Sequence, residues 1–158
     1  MRVQQPLTLS ALLAVLCMVS LVTAEFYYIQ SQLNPELVIT ADNTASGSYY
    51  YMQAKNSTND LQKFEFLSNG NIRCKANNLV IDIEGSAISG SPLVQKDPSA
   101  SDTQKWFMKD KNIISKKSII PQLVMDIKDK NPNPGAQVQV WNEKNIDDKN
   151  QEWSLVAA

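Results

Sequence analysis

The chain contains no histidine, and this absence disfavours several function classes at once. Histidine is the commonest general base in catalysis, the usual partner of a nucleophilic serine or cysteine, and the commonest protein ligand of zinc. The lysines and arginines form no basic stripe, which argues against a nucleic acid as partner. We therefore expect no enzyme, no metal and no cofactor, although catalysis by carboxylates alone stays open at the nearest aspartate pairs, Asp147–Asp148 and Asp126–Asp129.

The first 24 residues have the composition of a secretory signal peptide. A single charge, Arg2, precedes a mostly apolar run from Leu7 to Val22, and Val22 and Ala24 are small residues suited to a cut after Ala24. The apolar run has about 16 residues, whereas a membrane span needs roughly 20. We therefore expect residues 1–24 to be removed, so that residues 25–158 form one secreted, extracellular domain with no membrane span.

Cysteine is scarce, with two residues in the whole chain. Cys17 leaves with the signal segment, so only Cys74 remains and no intrachain disulfide can form. A domain of this size can bury enough surface to fold without disulfides. We expect Cys74 to be a buried small apolar residue, with an intermolecular disulfide as the alternative.

A glycosylation sequon, Asn56-Ser57-Thr58, lies in a polar stretch between two apolar runs. If the chain enters the secretory route of a eukaryote, Asn56 is a candidate glycan attachment site. A chance match is the alternative, because the motif is short.

Two markers each recur three times along the chain. The first is a short apolar run at Leu37–Thr40, Leu79–Asp82 and Leu123–Asp126, whose starts lie 42 and 44 residues apart. The second follows at Gln62–Phe64, Gln104–Trp106 and Gln151–Trp153, spaced by 42 and 47 residues. The spacing predicts three repeats at about 25–76, 77–118 and 119–158.

The repeats have the pattern of β-structure. Their apolar runs are short, rich in β-branched and aromatic residues, and separated by Gly, Asn, Pro and Asp clusters, with no sustained helical period. Examples are Phe26–Ile29, Tyr49–Met52, Lys63–Leu67, Val138–Trp141 and Glu152–Val156. Three such units are too few for a propeller, which typically has four to eight blades. We predict an all-β fold, a β-trefoil of three pseudosymmetric repeats with roughly four strands each.

The Gln-x-Trp marker that ends each repeat resembles the signature of the ricin B chain-like, or R-type, lectins. Phe64 replaces the tryptophan once, and the resemblance extends from about Phe26 to Val156. It implies a secreted lectin whose partners are glycans or glycoproteins. In this family the aromatic residue of the marker is part of the core, so Phe64, Trp106 and Trp153 are expected to be buried.

The third repeat carries the family's full set of sugar-binding residues, in order and with the usual separations: Asp126, Gln139, Trp141, Asn150 and Gln151. An indole offers a flat apolar face for the C–H patch of a sugar ring, and an ionised carboxylate accepts strongly from adjacent hydroxyls. An amide both donates and accepts. The resemblance implies galactose or N-acetylgalactosamine as ligand, with Gln151 supporting Asp126 rather than touching sugar.

The other two repeats depart from this set. The second keeps Asp82, Gly90 and Gln104, but has Lys96 (or Gln95, if the gap is placed differently) in the Trp141 position and Thr103 in the Asn150 position. We expect at most a weaker second site at Asp82, Lys96 and Gln104. The first has Thr40 and Leu61 in place of Asp126 and Asn150, keeps only Gln62, and is expected to be structural.

Two other functions remain open at this point. A β-trefoil can bind proteins through its loops, as a protease inhibitor does, because a fold does not fix a function. A degenerate trefoil that binds nothing is the other alternative. A single weak sugar site would also need multivalency to act on cell surfaces, so self-association into a homo-oligomer is a further hypothesis.

Overall fold

The structure is a computed structural model that describes residues 23–117, 120–144 and 148–158. The signal segment proposed for residues 1–24 therefore lies almost wholly outside the described residues. Within them the chain forms twelve β-strands: β1 Tyr27–Ser31, β2 Leu37–Ala41, β3 Tyr50–Ala54, β4 Phe64–Phe66, β5 Ile72–Cys74, β6 Val80–Ile83, β7 Leu93–Lys96, β8 Trp106–Lys109, β9 Asn112–Ser115, β10 Leu123–Ile127, β11 Val138–Asn142 and β12 Trp153–Ala157.

Four short 3-10 turns complete the described secondary structure: η1 Asp60–Gln62, η2 Asp102–Gln104, η3 Lys128–Lys130 and η4 Lys149–Gln151. The predicted all-β fold is confirmed, and the five strands predicted from the sequence lie within two residues of β1, β3, β4, β11 and β12. No helix in the described ranges is long and apolar enough to cross a membrane.

The strands fall into three units of four: β1–β4, β5–β8 and β9–β12. The first and fourth strands of the units form a barrel, in which β1 pairs with β12 and with β4, β4 with β5, and β8 with β9. The second and third strands form the hairpins β2–β3, β6–β7 and β10–β11. Counted in this way, β5 and β9 precede the repeat boundaries expected at residues 77 and 119.

The three hairpins meet around a pseudo-threefold axis. Single bridges join β11 to β3, the start of β3 to β7, and the start of β7 to β11. One glycine per unit completes the ring: the backbone N–H groups of Gly47, Gly90 and Gly135 donate to the third strand of the next unit, at distances of 2.6, 2.7 and 2.8 Å. All three have φ near +90°, a conformation that favours glycine.

The core fills the space between barrel and hairpins. Phe64, Trp106 and Trp153 are all buried in it, as predicted, and so is Cys74. Burial raises the pKa of the Cys74 thiol and keeps it from the contact that an intermolecular disulfide requires. The sequon residue Asn56 lies on an exposed loop, where its side-chain oxygen accepts from the backbone and hydroxyl of Thr58.

Candidate functional site

The five residues singled out in the third repeat come together beside the β10–β11 hairpin. Asp126 on β10 pairs directly with Gln139 on β11, and Trp141 lies two residues further along β11, on the same face. Asn150 and Gln151 lie in the turn η4. Four of these residues line a cavity of about 390 Å³: Asp126, Gln139, Trp141 and Asn150.

The Asp126 carboxylate is the centre of the site. It is buried and accepts three amide hydrogen bonds, from Gln139 Nε2 (3.0 Å) to Oδ1 and from Asn150 Nδ2 (2.7 Å) and Gln151 Nε2 (3.0 Å) to Oδ2. A carboxylate has acceptor capacity for about four bonds, so Oδ1 keeps capacity for one more. Burial raises the pKa of Asp126, although the bonds from Gln139 and Gln151 oppose the shift.

Asn150 presents a buried acceptor without a partner. Its amide nitrogen donates to Asp126 and also to the Ile127 carbonyl oxygen at 3.1 Å, so the identity of the nitrogen is fixed by two acceptors. Its Oδ1 atom is buried and has no hydrogen-bond partner in the described structure. Because buried polar atoms are nearly always paired, an orphan acceptor in a cavity wall indicates a missing donor.

Trp141 forms the apolar side of the cavity and is one of the few large apolar residues that is exposed, at 40%. Its indole ring lies against the turn of the preceding unit, where a Cβ atom on Gly90 would sit 3.4 Å from Trp141 Cζ3. A side chain there would be in van der Waals contact with the ring, and the φ of +94° is what favours glycine at this position. A half-exposed indole beside polar groups suits a ligand with one apolar and one polar face.

Gln151 lies behind the cavity and supports it. Besides Asp126, its amide nitrogen bonds the Asn142 carbonyl oxygen (3.1 Å), and its oxygen accepts from the backbone N–H of Lys144 (3.1 Å). Gln62 and Gln104 make the same set of bonds in their own units: to Thr40 or Asp82, to the end of the third strand, and from the following backbone N–H. The glutamine thus ties the second and third strands together in every unit.

Three further residues line the cavity that the sequence did not indicate for sugar binding: Asp129, which it offered only as half of a carboxylate pair with Asp126, and Lys130 and Lys144. The two lysines form ion pairs with Asp148, from Lys130 Nζ to Oδ1 at 3.1 Å and from Lys144 Nζ to Oδ2 at 2.7 Å. The Lys144 contact lacks hydrogen-bond alignment. Burial acts to raise the pKa of Asp148, but the two ammonium groups outweigh it and hold that pKa below its usual value.

The second unit lacks most of this arrangement. Its hairpin register pairs Val80 with Lys96, as Val124 pairs with Trp141, so Lys96 and not Gln95 occupies the indole position. Asp82 is bound by Gln104 Nε2 at 2.9 Å and by the backbone N–H of Ile83 at 2.7 Å. The proposed weaker site at Asp82, Lys96 and Gln104 thus has a carboxylate and its supporting amide but no aromatic face.

The first unit has a smaller pocket with different residues at the key positions. A cavity of about 130 Å³ is lined by residues that include Thr40, Gln53 and Leu61. By hairpin register Gln53 takes the indole position, and Leu61 precedes Gln62 as Asn150 precedes Gln151. Tyr51 and Asp42 also line this cavity, but Tyr51 stands opposite Thr40, where Gln139 stands opposite Asp126 in the third unit. Without a carboxylate at Thr40 or an indole at Gln53, the pocket does not reproduce the arrangement of the third unit.

A three-unit β-trefoil with a pocket of carboxylate, amide and exposed indole groups is typical of the β-trefoil lectins. The model of the ricin-type β-trefoil lectin domain matches residues 25–153. The chain therefore belongs to this carbohydrate-binding family, and the resemblance seen in the sequence is confirmed. No curated protein is significantly similar to it in sequence.

Several solved lectin structures share the fold at low sequence identity. The C-half of an earthworm R-type lectin, in complex with GalNAc, is 24% identical, with a TM-score of 0.71 over 85% of this chain and 99% of the other. The β-trefoil lectin of the Vibrio vulnificus hemolysin/cytolysin, with N-acetyl-D-lactosamine bound, is 15% identical, with a TM-score of 0.72 over 85% and 96%. The Macrolepiota procera ricin B-like lectin, in complex with lactose, is 18% identical, with a TM-score of 0.67 over 84% and 95%.

Proposed function

We propose that the chain is a secreted lectin that binds galactose-type sugars, galactose or N-acetylgalactosamine, through its third unit. The observation that carries this proposal is the buried, unpartnered Oδ1 atom of Asn150, whose amide nitrogen binds Asp126 in the wall of the same cavity. Two adjacent acceptors at the base of a cavity suit two neighbouring hydroxyl donors of one sugar. Secretion is supported by the signal-like composition of residues 1–24.

The pocket has an apolar wall and a polar wall, and each suits a different part of a sugar. The sugar's apolar face stacks on Trp141 while its hydroxyls donate to Asp126 and Asn150. A galactoside has an axial hydroxyl that leaves a broad apolar face for such stacking. The earthworm, Vibrio and Macrolepiota lectins are described with GalNAc, N-acetyl-D-lactosamine and lactose, all galactose-type ligands, which supports the same sugar class here.

The internal symmetry supplies matched controls for the test. Residues 25–158 are titrated with lactose and applied to a glycan array, beside Trp141→Ala and Asp126→Ala. Lys96→Ala and Asp82→Ala alter the same positions in the second unit. We expect both third-unit variants to lose galactoside binding and both second-unit variants to retain it.

Two outcomes would contradict the proposal. Unchanged lactose affinity in Trp141→Ala would mean that the indole does not stack on the sugar. Failure of the parent protein to bind any galactoside would leave the two alternatives, a protein-binding trefoil or a degenerate one. The absence of enzymatic activity and of nucleic-acid binding, and the glycan at Asn56, also stay predictions.

We further propose that the lectin self-associates. One site of millimolar affinity contributes only about 4 kcal/mol, and linked sites multiply the apparent affinity. Light scattering during size-exclusion chromatography reports the oligomeric state, and agglutination of galactose-coated beads reports valency. A monodisperse monomer that still agglutinates the beads would refute the proposal.

A further inference from the structure

In each unit a 3-10 turn precedes the fourth strand: η1, η2 and η4. The residue just before this turn makes different contacts in the third unit. In the first two units the residue there caps the turn: Asn59 accepts from the backbone N–H of Leu61, and Ser101 accepts from that of Thr103. The equivalent residue before η4 is Asp148, which makes no side-chain capping bond. Aspartate is among the best capping residues, so its carboxylate has been drawn elsewhere.

The carboxylate instead contacts two lysines that line the sugar cavity. The Asp148 side chain is 5% exposed and holds Lys130, on the η3 turn after β10, and Lys144, on the segment after β11. Neither lysine recurs in the other units: Thr44 and Ser86 lie four residues after Thr40 and Asp82, as Lys130 lies four residues after Asp126. The backbone N–H of Lys144 donates to the side-chain oxygen of Gln151. The residues that make the same backbone bond to Gln62 and Gln104 are Asn56 and Ser99, and neither is charged.

The backbone conformation of η3 is a second, independent indication that contacts around Asp148 hold this segment in place. Asp129 and Lys130 both have positive φ, 58° and 52°. The second unit places Gly85, with φ 64°, three residues after Asp82, as Asp129 lies three residues after Asp126. Non-glycine residues in this region carry strain and persist only where their surroundings hold them. The ion pair to Asp148 is one contact that holds Lys130 in place.

We infer that Asp148 is a positioning residue of the sugar site, which fixes the two lysine-bearing walls of the cavity to η4, the turn that carries Asn150. The inference deepens the proposed function and rests on it. It explains why the carboxylate forgoes the cap: three chain segments that surround the ligand are joined at one buried group. Both lysines contact Asp148 and also line the cavity.

Asp148→Asn tests this role with little expected loss of stability, because asparagine is the residue that caps the turn in the first unit. Glu152→Gln is the matched control. Glu152 also contacts two lysines, Lys111 at 3.2 Å and Lys149 at 3.5 Å, but neither lines the cavity. Two measurements are made on residues 25–158: lactose titration, and backbone hydrogen exchange of the free protein.

We expect Asp148→Asn to weaken lactose binding by about threefold to tenfold, in the lower part of the range for residues coupled in one network. Exchange should accelerate in segments 128–131 and 143–144, while Glu152→Gln changes neither measurement. In a double-mutant cycle, the effect of Asp148→Asn on affinity should largely vanish once Lys130 and Lys144 are both alanine. A purely structural role for Asp148 would leave no such coupling.

The two measurements separate the two proposals. A parent protein that does not bind lactose would refute the galactose proposal alone, since hydrogen exchange still reports on the walls. Unchanged exchange in both segments of Asp148→Asn would overturn the positioning role. Equal loss of lactose affinity in Asp148→Asn and Glu152→Gln would overturn it as well, because the effect would not depend on the cavity walls.

Discussion

Replacing Gln151 by glutamate places a second carboxyl group beside Asp126 with almost no change in shape. The amide nitrogen of Gln151 lies 3.0 Å from Asp126 Oδ2, and both side chains are buried. The same substitution at Gln62 places a carboxyl beside the Thr40 hydroxyl, 3.1 Å away, with no second charge. The two variants therefore differ mainly in the repulsion between two carboxylates.

The magnitude follows from two competing routes. Two full charges at this distance repel by about 5–6 kcal/mol at an effective dielectric constant of 20. Keeping the new glutamate protonated costs less, about 3.7 kcal/mol at pH 7 and about 1 kcal/mol at pH 5, for an ordinary pKa of 4.3. The folded protein takes the cheaper route, so the pKa of the new carboxyl is raised.

The sign of the pH dependence follows. A carboxyl whose pKa is raised in the folded state keeps its proton at pH values where the unfolded chain has released it. Stability is therefore retained near and below pH 4.3 and lost as the pH rises through the raised value. Relative to the parent, we expect Gln151→Glu to lose roughly 1.4 kcal/mol per pH unit between pH 5 and 7.

Urea unfolding, followed by tryptophan fluorescence at pH 5, 6, 7 and 8, measures this difference. Gln62→Glu loses the amide donor to Thr40 and to the Ala54 carbonyl oxygen and also buries a carboxyl. We expect a cost of about 1–3 kcal/mol with a weaker pH dependence, which comes from burial without a second charge. A pH-independent cost in Gln151→Glu would refute the reasoning. So would equal pH slopes in the two variants, because the carboxylate pair would then have no measurable effect.

Two further predictions concern the core and the carboxylate. Trp153→Phe removes the indole donor to the Met125 carbonyl oxygen (3.1 Å) and should cost about 1–3 kcal/mol in urea unfolding yet keep the fold, since Phe64 serves in the first unit. Galactoside affinity should fall as acid protonates Asp126, whose pKa is raised by burial, while this protonation does not itself destabilise the fold. Calorimetric titrations from pH 7.5 to 4.5, with circular dichroism as the control, check this; constant affinity across the range would contradict it.

The architecture and the five residues of the third unit could be predicted because their signals are local and repeated. A run such as Leu123–Asp126 predicts a buried strand. The glutamine that follows at a fixed spacing binds the residue near the end of that strand. The choice between Gln95 and Lys96 could not be made from sequence. A slip of one residue moves a side chain to the other face of a hairpin, and only the observed register decides it.

The lysine walls could not be predicted for a different reason. Lys130 and Lys144 are 14 residues apart and follow β10 and β11 at opposite ends of the hairpin. They are linked through Asp148, which contacts both. Asp148 has a strong local preference for capping, and a sequence rule would assign it that role. Tertiary attraction to two ammonium groups wins instead, and no local pattern contains that competition.

The glutamines that tie the strands of each unit have a consequence for how such proteins diverge. Gln62 makes its full set of bonds although its unit has neither the carboxylate nor the indole, so the tie does not depend on sugar binding. Mutation can therefore silence the pocket of one unit while the scaffold stays intact. Glutamine and a core aromatic therefore belong to the scaffold of every unit, whereas Asp126, Trp141 and Asn150 distinguish the unit that carries the proposed sugar pocket.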